Sequence, residues 1–458
     1  MTIPSDEPII KVGISAEPTI QFELKGDFLL NSAIVPAGVY SVSIDGNVLS
    51  CTPSTSNYST SNKLELIPLL PTSTFILKKV TIGIGFHWEK QEDQEFEGGL
   101  TLQIERDKIR AINTVALESY LKSVISSEMS AMNDANLLNA HAIVSRSWLL
   151  AQILKKNTQQ VLNSQNKSTT VGIIKQSEES YSQTNEIVKW YDREDHDTFD
   201  VCADDHCQRY QGITKVISAN AQKAIEATSG KVLMLDNEIC DARFSKCCGG
   251  ISEDFENVWQ PVKVPYLVAI RDVDNRLTET SKGKNIDTES FITTSPEAFC
   301  NTTDSTVLSQ VLIDFDRSTT NFYRWTVEYD QKTISALIEK KSGIEFGEIA
   351  DIVPLERGNS GRIIRLKIVG TKKKIIVGKE LEIRKWLSES HLYSSAFIVE
   401  KEFENNSAVP SKFILRGAGW GHGVGMCQIG AAMMSKKGFT SDEILKHYFK
   451  DTKVKKIY

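Results

Sequence analysis

No apolar run in this chain approaches the roughly 20 residues that a helix needs to cross a bilayer, so a helical membrane span is not expected. The first residues, Met1-Thr-Ile-Pro-Ser-Asp-Glu-Pro8, lack the basic start and apolar core of an export signal. There is no basic excess either. The formal net charge is −6, whereas nucleic-acid binders usually carry basic stripes. Cysteine is sparse, with eight residues in 458, too few for a disulfide scaffold. What remains is the composition of a soluble globular chain, long enough for about two to four structural units.

Residues 8–110 read as β-structure. Ile9–Ile14, Thr19–Leu24, Gly38–Ile44, Thr81–Phe86 and Leu100–Ile104 are short alternating runs separated by Gly, Asn and Pro turns. From Asn113 the period changes. Leu117, Leu121, Val124 and Ile125 fall on one helical face, and Glu118 and Lys122 form an i,i+4 pair. Glu128 follows seven residues after Leu121. If the helix reaches it, its carboxyl projects from the apolar face, where the charged form is disfavoured and the pKa rises. That is the condition for a general acid near neutral pH. If the helix stops at Ser126-Ser127, Glu128 is a solvated loop residue.

A second helix is expected after a cap at Asn133 or Asp134, with Leu138, Ala142, Ser145, Leu149 and Ile153 as its inner stripe. Arg146 and Trp148 flank that stripe. A partly buried Arg needs an acceptor, and one other than Glu128 is expected, because direct pairing would weaken the acid. His141 reads as a packed helix residue, with a substrate contact as the other option.

Residues 156–190 are polar and read as an exposed insertion. Then His196, Cys202, His206 and Cys207 fall within a dozen residues. Thiolate and imidazole are the ligands that zinc prefers, in tetrahedral sets of four. A closed set would be structural, while three ligands plus water would be catalytic; the spacing is not that of a standard finger. Farther on, Cys247-Cys248-Gly-Gly250 suggests close backbone approach. Its adjacent thiols read as buried or as redox-active. Trp259 offers a stacking face.

Residues 271–320 are polar and look inserted. Tyr323–Glu328 and Ile363–Val369 read as strands, Arg357–Arg362 as a tight turn, and Thr333–Lys340 and Lys379–Leu387 as helices. The chain then enters Arg416-Gly-Ala-Gly-Trp-Gly-His-Gly-Val-Gly-Met-Cys-Gln-Ile-Gly-Ala431. Glycine serves where φ is positive or where backbone approaches something closely, so this stretch is read as one wall of a ligand site. It lacks the Lys-Ser/Thr ending of a nucleotide-binding P-loop. Gly438 and the capping box Thr440-Ser-Asp-Glu443 mark the helix end and helix start that follow.

Four passages together resemble the SpoIID/LytB family of bacterial peptidoglycan-cleaving proteins. They are Leu117-Glu-Ser-Tyr-Leu-Lys-Ser-Val-Ile-Ser-Ser-Glu-Met129, Ala140-His-Ala-Ile-Val-Ser-Arg-Ser-Trp148, Phe199–Gln208 and Gly419-Trp-Gly-His-Gly-Val-Gly-Met-Cys-Gln428. The resemblance extends from about Leu117 to Tyr458. It departs from the family pattern at Ser130, His141, and Asn133-Asp134, where the family usually has Pro, Gln and an aromatic-Pro pair.

The resemblance implies an α+β fold: a SpoIID-like core of mixed strands and helices with a β-rich N-terminal region and polar insertions. The division expected is 1–110, 111–270, 271–400 and 401–458, with the third segment accessory. It implies a lytic transglycosylase in which Glu128 is the catalytic acid. Arg146, Trp420, His422, Gln428, Gly421 and Gly423 form the substrate-binding set, and His196, Cys202, His206 and Cys207 hold a structural or site-shaping zinc. Peptidoglycan strands are the implied partner, with a cell-wall amidase as a second one, and the implied location is extracytoplasmic or periplasmic. The alternative reading is a non-catalytic enhancer of an N-acetylmuramoyl-L-alanine amidase.

Overall fold

The computed structural model describes residues 3–52, 62–83, 89–129, 134–165, 185–191, 196–204, 207–215, 218–274, 287–312, 319–404 and 407–458. The fold is α+β. No helix among the described residues is long and apolar enough to cross a membrane.

The alternating N-terminal runs form two sheets, because a period of two puts every second side chain on one face. In Thr19–Lys25, for example, Ile20, Phe22 and Leu24 are buried between more exposed neighbours. One sheet orders the strands Val48–Thr52, Gly38–Asp45, Thr19–Lys25, Thr74–Ile82 and Lys90–Glu97. The other runs from Val201–Cys202 through Ile9–Glu17, Lys108–Ala116, Gly99–Glu105 and Lys63–Pro68 to a short hairpin, Phe28–Leu30 and Ala33–Val35. Residues of both sheets share one core, in which Phe75 and Phe96 stack at 5.3 Å.

The first helix, Leu117–Glu128, leaves the strand Lys108–Ala116 without a linker, and Leu117 N–H donates to the Pro8 carbonyl at 2.9 Å. Its apolar face (Leu117, Leu121, Val124 and Ile125) lies in the same core. The long second helix, Ala135–Gln165, begins where Asp134 Oδ1 accepts the Asn136 N–H at 2.9 Å. Leu138, Ala142 and Leu149 face the core as expected.

Glu118 does not serve as a partner for Lys122. It binds the fully buried Arg146 through two bonds, Nε to Oε1 at 3.0 Å and Nη2 to Oε2 at 2.5 Å. Arg146 Nη1 also donates to the Lys231 carbonyl at 3.0 Å. Glu118 Oε1 accepts in addition from Gly230 N–H and from the Tyr458 hydroxyl, at 3.1 and 2.7 Å. One ion pair therefore ties both helices to the strand Lys231–Leu235 and to the C-terminal residue. Lys453–Lys456 completes this closure by pairing antiparallel with that strand.

The region after residue 320 builds a second core around Ile334, Ile338, Phe346, Ile368, Val377 and Phe413. A four-stranded sheet (Glu186–Val188, Lys374–Gly378, Ile363–Gly370, Ile349–Arg357) and a three-stranded one (Arg324–Asp330, Lys412–Ala418, Phe397–Glu402) enclose it with the helices Gln331–Ser342 and Glu380–Trp386. Gly343 ends the first of these helices at φ 69°. Lys412–Ala418 lies beyond residue 400 and leads straight into the glycine-rich stretch, so that stretch emerges from the accessory sheet. Most of the polar insertion after the second helix, 166–184, lies outside the described residues.

Two outcomes follow from these buried groups. Breaking a buried ion pair by removing one partner costs roughly 3–5 kcal/mol, so Arg146→Met is expected to lower stability by about that much in chemical unfolding. His141 is wholly buried, both its ring nitrogens lack partners among the described residues, and burial, reinforced by Lys246, lowers its pKa to about 3. The unfolded chain then binds a proton below about pH 6.5 that the folded one refuses until about 3. Stability should therefore fall with pH across that window by about 1.4 kcal/mol per unit for this group. His141→Leu should flatten that acid limb in urea titrations at stepped pH, and an unchanged slope would count against the assignment.

Candidate active site

The helix Leu117–Glu128 does reach Glu128. Its last turn is packed rather than frayed: Ser123, Ser126 and Ser127 are buried, and Ser126 Oγ donates back to the Lys122 carbonyl at 2.8 Å. Glu128 thus sits at the helix end, half-buried, on the wall of a cleft of about 420 Å³. Its Oε1 accepts the Arg209 N–H at 2.9 Å. Among the described residues lining the cleft, Glu128 is the one carboxylate. Arg209, Arg243 and Lys246 bring positive charge, and Trp148, Tyr191, Phe244 and Trp259 bring aromatic surface.

The opposite wall is the glycine-rich stretch, from which Gly421, His422 and Gln428 reach the cleft. Its turns depend on Arg362, which is 1% exposed. Gly421 has φ +88° and its carbonyl accepts from Arg362 Nε and Nη2 at 3.3 and 3.1 Å. A Cβ on Gly423 would lie 2.3 Å from Arg362 Cζ. Gly423 is therefore required by the arginine, and it is not among the residues that line the cleft.

His422 Nδ1 accepts the Val424 N–H at 3.0 Å, which places the proton of the neutral ring on Nε2. Burial first, then the Arg243, Arg362 and Arg384 guanidiniums, bring its pKa down to about 3. It is a neutral, fixed wall residue. Gln428 opens the helix Gln428–Lys436 and is 2% exposed. Its Nε2 has no acceptor among the described residues, a buried donor next to a cleft.

Two members of the expected binding set are elsewhere. Arg146 is spent on Glu118, as above. Trp420 does not line the cleft: its ring packs between Phe322 and Tyr393, with centroids at 4.7 and 4.3 Å. Trp259 does line it, but with the Arg243 guanidinium 4.5 Å above its ring. Arg243 is held in place by two bonds to Asp241, both 2.8 Å.

Sequence reasoning missed Arg209, Arg243 and Lys246. The last two flank a segment that pairs parallel with the wall, Phe244 with Met426 and Ser245 with Cys427. It missed Leu381 too, which the accessory region lends to the cleft, and Tyr191, which follows the strand Glu186–Val188 paired with that region's sheet. Tyr191 donates its hydroxyl proton to Glu382, and burial followed by that bond pushes its pKa up.

The expected metal ligands converge in part. His196, Cys202 and Cys207 place ligand atoms within 4.8 Å of one another, and Cys207 Sγ lies 3.7 Å from His196 Nε2. A tetrahedral zinc with its usual bond lengths spans sulfur and nitrogen ligands at about 3.6 Å, so these three groups fit one. His206 lies outside the described residues. Cys202 is positioned by the parallel pairing of Val201–Cys202 with Ile9–Glu17, and the His196 ring stacks on Phe199 at 4.3 Å. From Cys207 the same loop runs on to Arg209, whose N–H meets Glu128.

Residues 105–235 match the family described as Stage II sporulation protein, and residues 253–425 match a domain of unknown function, DUF8618. The amidase enhancer of Bacillus subtilis is 28% identical over 250 residues, covering 51% of this chain and 32% of that protein. Stage II sporulation protein D of the same organism is 21% identical over 78% of this chain and 79% of its own length. The protein of that name from Bacillus amyloliquefaciens is 20% identical over 77% and 78%. The chain thus spans about a third of the enhancer and most of the sporulation proteins. The acid-bearing helix, the cysteine loop and the glycine-rich wall meet at one cleft, and the first two lie within residues 105–235, the part of the chain that matches the SpoIID family model.

Proposed function

We propose that this protein acts on the bacterial cell wall as a peptidoglycan lytic transglycosylase, with Glu128 as acid and then as base. The observation that carries this reading is the cleft itself: one carboxylate among the described lining residues, faced by a glycine-rich wall. Hydrolytic glycosidases pair two carboxylates; a transglycosylase works with one. Glu128 would protonate the glycosidic oxygen between N-acetylmuramic acid and N-acetylglucosamine. As that bond breaks, the muramic C6 hydroxyl attacks C1 and returns its proton to Glu128, which leaves a 1,6-anhydro end and consumes no water.

The other lining groups suit such a substrate. Gly421 lets a glycan approach the backbone, and the buried Gln428 amide offers a hydrogen to an acetamido or hydroxyl oxygen. Arg209, Arg243 and Lys246 match the lactyl carboxylate of muramic acid in strands without stem peptides, or the carboxylates of the stem peptide where one is attached. The substrate lies outside the cytoplasmic membrane, so an extracytoplasmic location goes with this reading.

His196, Cys202 and Cys207, with His206 as the fourth candidate, would hold zinc. Bound there, the metal supplies structural closure. The chain's own contribution is to hold the loop that presents the Arg209 N–H to Glu128.

The likeness to a protein named amidase enhancer favours one second reading, in which the same cleft grips glycan without cutting it and assists a cell-wall amidase. Glu128 separates the two. General acid–base groups contribute about 10²–10⁴-fold, so Glu128→Gln is expected to cut the release of anhydro-muropeptides by at least about a hundredfold. Glycan strands, with and without stem peptides, are digested and analysed by mass spectrometry. Products undiminished in Glu128→Gln would overturn the assigned acid, and no products from wild type on either strand would favour the enhancer.

For the loop, Cys207→Ser is expected to remove about one zinc equivalent by elemental analysis, because structural sites bind through all their ligands. Zinc should also leave more readily at low pH, since the ligands must be deprotonated. Unchanged metal content after loss of both Cys202 and Cys207 would refute the site.

A further inference from the structure

A second group of ligand-type side chains lies in the core beside the glycine-rich wall. Cys248, Asp272, Cys300 and Cys427 come from four separate segments and are at most 2% exposed. One donor atom from each lies within 4.8 Å of all the others. Cys248 Sγ is 3.5 Å from Cys300 Sγ and 3.5 Å from Asp272 Oδ2. Tetrahedral zinc, with its usual bond lengths, spans two sulfurs at about 3.8 Å and a sulfur–oxygen pair at about 3.6 Å.

The surroundings aim these atoms at a common point. Asp272 Oδ1 accepts the Tyr448 hydroxyl at 2.7 Å, with His447 Nε2 at 3.5 Å, and Oδ2 accepts the Cys300 N–H at 3.1 Å. Outer bonds of this kind orient metal-bound carboxylates. Cys427 Sγ accepts the N–H groups of Cys248 and Gly430 at 3.2 and 3.4 Å. Gly430 leaves the group its space: a Cβ there would lie 2.5 Å from Asp272 Oδ2. A buried carboxylate packed against three sulfurs is costly unless a cation or full hydrogen bonding compensates it. A disulfide between Cys248 and Cys300 would use two of the four groups and leave Asp272 and Cys427 to their hydrogen bonds alone.

We propose that Cys248, Asp272, Cys300 and Cys427 form a second, structural zinc site, separate from the His196, Cys202 and Cys207 loop. Cys427 immediately precedes Gln428 and accepts at the start of its helix. The metal would thus fasten the glycine-rich wall to the segments carrying Cys248, Asp272 and Cys300.

The test is zinc content of the full chain, purified without chelators, together with its intact mass under non-reducing conditions. About two equivalents are expected. Cys300→Ser and Asp272→Asn should each remove one and keep the one that Cys207→Ser removes. Core substitutions also risk unfolding, so a second measurement spares the cluster. Cys207→Ser, loaded with cobalt(II), should still show the thiolate-to-cobalt absorption of a tetrahedral sulfur site. Absence of both metal and that absorption from Cys207→Ser would overturn the proposal. So would a mass of Cys207→Ser lighter by two hydrogens than its reduced chain, with the loss mapped by peptide analysis to a Cys248–Cys300 disulfide.

Discussion

A single guanidinium shapes the wall on which the site depends. Arg362 is buried, and a buried cation requires a full set of acceptors. It finds them in the Gly421 carbonyl, the Cys248 carbonyl at 3.2 Å and the Ser360 hydroxyl at 3.0 Å. Ser360 in turn donates to Glu253 Oε2 at 2.5 Å, so a carboxylate lies one bond away from the cation. Burial raises the Glu253 pKa, opposed by its bonds to Ser360, Asn257 and the Asp254 N–H and by Arg362. The glycines of the wall follow from this arrangement. Gly421 must turn its carbonyl inward, and Gly423 must have no side chain where the guanidinium lies. Much of the glycine content that suggests ligand approach therefore serves an arginine. Arg362 belongs to the tight turn between Ile349–Arg357 and Ile363–Gly370, so the accessory region is wedged into the site and takes part in shaping it.

What the sequence made legible was local. Leu117, Leu121, Val124 and Ile125 specify an apolar helical face by spacing alone. Thr440 and Glu443 specify a capping box, which the structure shows complete. Gly343 and Gly438 mark helix ends with positive φ. The four passages that carry the family resemblance were legible for the same reason, since each is a short run with fixed spacing. The convergence of Glu128, Cys207 and Gln428 on one cleft spans three hundred residues, and no spacing rule reports it; only the resemblance pointed to it.

What was not legible depended on which distant partner a polar or aromatic side chain would find. Glu118 looked like a surface pair for Lys122 because an i,i+4 offset places the two on one helical face. Arg146 takes Glu118 because the second helix packs there and buries the guanidinium against that carboxylate. Trp420 read as a substrate contact among glycines, yet flanking glycines permit the backbone to turn the ring into the pocket between Phe322 and Tyr393. Arg243 and Tyr191 carried no local signal at all. Their placement follows from the parallel pairing at Phe244 and from the attachment of Glu186–Val188 to the accessory sheet.

These placements narrow the chemistry by elimination. His422 is neutral across the physiological range, and its Nδ1 already accepts a backbone hydrogen. Tyr191 is held protonated by burial and by Glu382. Arg209, Arg243 and Lys246 supply charge. Cys207 is turned toward His196 and the metal-type set. Among the described groups on the cleft, Glu128 is the one carboxylate. Its helix fixes its position from one side and the Arg209 N–H from the other. In the proposed reaction, a single carboxylate held in this way suits a nucleophile that comes with the substrate, the muramic C6 hydroxyl, since no second protein group is then needed to activate water.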